Sequence, residues 1–118
     1  MKKVLIVEDD SFLQGLAANK LTQNEFDVTT AKDGETAMTE LAKEKFDCIL
    51  LDLMLPDISG FDILKNIQTA GGKIPTIVFS NLSDDKDIKK AMDLGAAEYL
   101  IKSNFTLEEL VEKVKAIA

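Results

Sequence analysis

Three continuous apolar runs constrain this chain more than any other feature. Val4-Leu5-Ile6-Val7, Cys48-Ile49-Leu50-Leu51 and Thr76-Ile77-Val78-Phe79 lack polar alternation, so each reads as a strand covered on both faces, the environment of a parallel sheet. Phe26 to Thr30 and Glu98 to Ile101 are more mixed, with Asp27 and Glu98 among them, and suit sheet edges. Between these runs the apolar residues recur at helical spacing: Leu13, Leu16, Ala17 and Leu21; Ala37, Met38, Leu41 and Ala42; Phe61, Leu64 and Ile67; Ile88, Ala91, Met92 and Gly95; Leu107, Leu110, Val111 and Val114. Each set lays one stripe against a sheet. Helix starts are signalled by Asp10 or Ser11, Asp33, Ser59, Ser83, and a capping box at Thr106-Leu107-Glu108-Glu109. Five strand-then-helix units follow. Right-handed crossovers assemble them into a doubly wound (βα)5 three-layer α/β sandwich around a five-stranded parallel sheet.

With 118 residues, the chain reads as one domain over residues 1–118, punctuated by its two prolines and Gly71-Gly72. The opening apolar run ends at Glu8, too short for a signal peptide or a membrane span, so a cytoplasmic location with no membrane partner is expected. Composition narrows the chemistry further. The chain has no His and no Arg, one Cys, and a formal net charge of −7. That excludes histidine-based catalytic units, His- or Cys-ligated zinc, arginine fingers and intramolecular disulfides, and it disfavours direct nucleic-acid binding. What remains is carboxylates, lysines, hydroxyls, backbone groups and a bound cation.

Ligands of open α/β sheets bind beyond the carboxyl ends of the strands. Here those ends carry Glu8-Asp9-Asp10, Asp52, Ser80-Asn81 and Lys102-Ser103. Carboxylates gathered at one rim repel one another unless a cation joins them, and oxygen ligands favour a hard ion such as Mg²⁺. Asp52 precedes the apolar stretch Leu53-Met54-Leu55-Pro56, so helix capping does not account for it.

Val7-Glu8-Asp9, then Leu51-Asp52-Leu53-Met54-Leu55-Pro56 with Gly60, then Phe79-Ser80, then Tyr99 and Lys102, resembles the receiver domain of two-component response regulators, in sequence order along essentially the whole chain. The resemblance implies a 2-1-3-4-5 strand order. It also implies a signalling phosphoacceptor rather than an enzyme with a separate substrate: Asp52 accepts a phosphoryl group from a sensor histidine kinase or a His-containing phosphotransfer protein. Asp9 and Asp52 would ligate Mg²⁺, or Mn²⁺ as a substitute, with Glu8 acting through water and Met54 through its backbone carbonyl. Lys102 would pair with the phosphoryl group, while Ser80 and Tyr99 would switch the surface of the fourth helix, fifth strand and fifth helix. The effector is unspecified, and either a monomer or a phosphorylation-dependent dimer is compatible. Receivers usually have proline after the lysine, whereas Ser103 stands here, so the loop must either hold a costly cis bond or take a trans path. Two other readings are weaker. A haloacid dehalogenase-type phosphatase needs a second acid that Asp52-Leu53-Met54 lacks, and a flavodoxin-like binder would set its phosphate against Glu8-Asp9-Asp10.

Overall fold

The computed structural model describes residues 1–69 and 73–118; the punctuation expected at Gly71-Gly72 lies outside them. In chain order the elements are β1 (Lys3–Val7), α1 (Ser11–Gln23), β2 (Asp27–Ala31), α2 (Gly34–Lys43), β3 (Cys48–Leu51), α3 (Gly60–Thr69), β4 (Thr76–Ser80), α4 (Asp85–Asp93), β5 (Glu98–Ile101), a short 3-10 turn (Lys102–Asn104) and α5 (Leu107–Ile117). The sheet order is β2-β1-β3-β4-β5, with every pairing parallel. That is the doubly wound 2-1-3-4-5 arrangement, with β2 and β5 at the edges as their mixed polarity requires.

Successive strand residues face opposite ways, so the apolar runs feed two cores at once. Leu5, Val7, Ile49, Leu51 and Val78 pack in a cluster with Ala37, Ile63, Leu64 and Ala91 from α2, α3 and α4. Val4, Ile6, Cys48, Leu50, Ile77 and Phe79 pack with Ala17 and Leu21 of α1 and with Leu110, Val111 and Val114 of α5. Cys48 is fully enclosed, and burial pushes its thiol up to about 12; it serves as a small apolar residue.

Several helix details differ from the sequence reading. α4 is capped by Asp84, whose carboxylate accepts the Lys86 N–H, and not by Ser83. Gly95 closes α4 instead of extending its stripe, adopting φ +106°, a left-handed conformation that suits glycine. Leu16, Ala42 and Met92 face solvent, because α1, α2 and α4 each touch the sheet along a strip narrower than the apolar periodicity suggested. Asp10, Asp33 and the Thr106–Glu109 box cap their helices as expected. Among the described residues no helix is long and apolar enough to cross a membrane.

Two glycines separate local from tertiary demands. A Cβ on Gly60 would sit 2.4 Å from Leu53 Cα and 2.6 Å from the Asp52 carbonyl oxygen, whereas one on Gly15, on the exposed side of α1, would meet nothing within 4 Å. Gly60→Ala is expected to lower unfolding free energy by about 1–3 kcal/mol through overpacking. Gly15→Ala is expected to raise it by about 0.5–1 kcal/mol through helix propensity. Urea unfolding of the two variants checks both signs.

Candidate functional site

Parallel pairing brings the strand ends to one rim. Val7 is in register with Leu51, so the residues that follow them, Glu8 and Asp52, emerge side by side. The chain is held there by backbone bonds: Glu8 N–H donates to Ala31 O (2.9 Å) and Asp52 N–H to Val7 O (3.0 Å). Gln14, one turn into α1, secures the same corner by donating its side-chain amide to Glu8 O at 2.9 Å.

One carboxylate oxygen from each of Glu8, Asp9 and Asp52 falls within 4.8 Å of the others. Glu8 and Asp52 are only 4% and 5% exposed, while Asp9 is open to solvent. Lys102, at the end of β5, reaches across and binds both buried acids, its Nζ lying 2.6 Å from Glu8 Oε1 and 2.9 Å from Asp52 Oδ2. Met54 N–H donates to the other Asp52 oxygen at 3.1 Å, and Asp10 N–H to Glu8 Oε2 at 3.1 Å. Burial pushes the Glu8 carboxyl up to about 7, against the opposing pull of Lys102 and the Asp10 N–H. Burial works against the charged form of Lys102, but its bonds to Glu8 and Asp52 prevail and its ammonium is held above the usual range.

Lys102 and Ser103 run into the 3-10 turn through a trans peptide bond, since no cis bond occurs among the described residues. This path serves the site well, because the turn leaves the ammonium aimed back at β1 and β3. Ser80 is fully buried at the end of β4, and its hydroxyl accepts the Leu82 N–H at 3.2 Å. No hydrogen bond joins it to the three acids among the described residues. Half-buried Tyr99 donates its hydroxyl to Leu82 O at 2.7 Å, so Leu82 contacts both residues expected to act in switching.

The structure gathers Glu8, Asp9, Asp52 and Lys102 at one rim, where the sequence placed them, and sets Ser80 at the end of β4 and Tyr99 within β5, joined through Leu82. The sequence reading missed Gln14, a helix residue with no local distinguishing signal. The donor set fits a hard divalent ion. Three carboxylates face one ammonium, every available ligand is oxygen, and the solvent-facing Asp9 leaves room for coordinated water. At Mg²⁺ about 100-fold above its Kd, unfolding free energy is expected to rise by about 2.7 kcal/mol. Asp9→Asn should lose that gain while keeping a cation-free midpoint at or above the parent's, because one repelling charge has gone. Thermal melts in EDTA and in excess Mg²⁺ check both statements.

Residues 4–115 match the sequence profile of the response regulator receiver domain. Response regulator ArlR of Staphylococcus aureus is 35% identical over 117 residues, covering 99% of this chain and 52% of ArlR; the chain thus spans about half the length of the curated relatives it matches. The BeF3-activated DrrB receiver domain superposes with a TM-score of 0.91 at 33% identity, covering 99% of this chain and 97% of that one. TrrA from Thermotoga maritima, solved in complex with Mg²⁺-BeF, superposes with a TM-score of 0.88 at 28% identity and full coverage of both chains, 100% each way.

Proposed function

The chain belongs to the response regulator receiver domain family, and from that membership we propose that Asp52 takes a phosphoryl group from a phosphohistidine on a sensor histidine kinase or a His-containing phosphotransfer protein. The observation that carries this reading is Asp52 itself, buried at the end of β3 beside Glu8 and Asp9 with the Lys102 ammonium 2.9 Å from its carboxylate. A carboxylate oxygen attacks phosphorus and the N–P bond of the donor breaks. The imidazole nitrogen leaves with that electron pair, and an aspartyl phosphate forms. Since these 118 residues include no His, the donor imidazole lies outside them. The protein supplies positioning and charge rather than proton transfer.

Glu8, Asp9, Asp52 and the Met54 carbonyl would hold Mg²⁺, with Glu8 acting through water; Mn²⁺ shares the preference for oxygen and substitutes. When bound, the ion offsets negative charge on the phosphoryl oxygens. Lys102 adds a second positive charge from the β5 side, the main one the chain itself can offer without Arg. Ser80 turns its hydroxyl toward a phosphoryl oxygen, which changes the Leu82 bond it now accepts. Tyr99, tethered to the same residue through its hydroxyl, repositions with it. That carries the change to the surface of α4, β5 and α5, where an effector reads it. We place this receiver unit at residues 1–118 in the cytoplasm, as a monomer or a phosphorylation-dependent dimer.

The rim is edged by exposed apolar side chains, Phe12 at 76%, Leu16 at 39% and Met54 at 57%. Phe12 and Leu16 are one helical turn apart on α1, immediately after the acids, and offer a phosphodonor protein a dry contact.

Two experiments follow. Asp52→Asn is expected to abolish Mg²⁺-dependent labelling by acetyl phosphate, followed by mass spectrometry; undiminished labelling would sink the assignment. Phe12→Ser should slow transfer from a phosphohistidine protein by about tenfold, as loss of an interface anchor does, while leaving acetyl phosphate labelling unchanged. Equal slowing with both donors would remove α1 from the docking face.

A further inference from the structure

The loop between β3 and α3 hangs from two fixed points. One is Gly60, whose N–H donates to Leu53 O at 3.0 Å and whose missing side chain lets α3 lie against the backbone of residues 52 and 53. The other is Asp57. Its Oδ1 accepts the N–H of Gly34 and of Ile58, each at 2.8 Å, and its Oδ2 accepts the N–H of Glu35 at 3.0 Å.

Gly34 and Glu35 open α2, whose own cap, Asp33, reaches only the Thr36 N–H, at 2.8 Å. The donors of that helix start are therefore divided between a local carboxylate and one 23 residues away in sequence. The approach depends on position 34 having no side chain, since a Cβ there would lie 2.8 Å from Ile58 Cβ and 3.2 Å from Asp57 Oδ1. The backbone N–H groups of Gly34 and Glu35 hold the Asp57 carboxyl below the usual carboxylate range.

What this contact joins gives it significance beyond helix capping. α2 follows β2, whose last residue, Ala31, accepts the Glu8 N–H, so α2 belongs to the half of the rim that carries Glu8 and Asp9. Asp57 belongs to the loop that carries Met54, whose N–H holds Asp52. The geometry points to Asp57 as a positioning residue, a latch that sets the β3 loop against the β1 acids and so determines how tightly the acid cluster holds a divalent cation. This inference rests on the reading of that cluster as a Mg²⁺ site.

Calorimetric titration of Mg²⁺ into the parent, Asp57→Ala, Asp57→Asn and Asp33→Ala tests it. Asp33→Ala removes the other cap of the same helix without touching the loop, and so controls for simple fraying of α2. Asp57→Ala is expected to weaken Mg²⁺ binding by about tenfold, the usual effect of removing a group that orients a metal site. Asp57→Asn, which keeps one acceptor oxygen and the side-chain volume, should fall between it and the parent, and Asp33→Ala should bind as the parent does. Amide hydrogen exchange at Met54 should quicken in Asp57→Ala and not in Asp33→Ala. Parent-like Mg²⁺ affinity in both Asp57 variants, or equal weakening in Asp57→Ala and Asp33→Ala, overturns the latch. A parent that takes up no Mg²⁺ refutes the cation reading itself, and the latch with it.

Discussion

Two carboxylates forced together by strand register are the constraint around which the rest of the site is organised. Glu8 and Asp52 follow residues paired in a parallel ladder, so the backbone leaves them no freedom to separate. Water cannot relieve their repulsion fully, because both are almost wholly buried. Lys102 reaches over from β5 to touch both, and Asp10 and Met54 lend backbone N–H groups. Solvent-facing Asp9 adds charge that these partners do not balance. A rim of this kind is costly for a fold to keep, since buried like charges are tolerated only where partners offset them.

The bonds around the rim continue from β5 into β4. Lys102 sits at the start of the turn after β5 and Tyr99 lies within that strand, while Ser80 closes β4 beside it. Leu82 contacts both Ser80 and Tyr99 through its own backbone. The Leu82 backbone thus joins the end of β4 to Tyr99 on β5, above two packed layers.

Much of this was legible in the residues. The unbroken runs at Val4, Cys48 and Thr76 predicted buried parallel strands because only a strand covered on both faces can use every side chain for burial. Glu8, Asp9, Asp52 and Lys102 stood out because strand ends in this architecture converge. Asp84 displaced Ser83 as a cap because two adjacent residues of similar capping power compete and the turn geometry selects between them. Leu16 and Met92 read as core because periodicity records spacing and not how wide a strip of helix the sheet covers. Asp57 was invisible because two of its three partners are backbone N–H groups 22 and 23 residues away, and backbone donors have no identity in sequence.

The sequence by itself determined the layering of the fold, the rim on which chemistry would gather and the acids that gather there. Each of those follows from hydrophobic period and strand parity, which are properties of neighbouring residues. Only the tertiary structure decided that one ammonium bridges two acids, that Ser103 is accommodated by a 3-10 turn, that Gly60 admits no side chain and that Asp57 joins the β3 loop to α2. These depend on distances of about 3 Å between segments remote in the chain, fixed by how the elements pack and not by what any one of them contains.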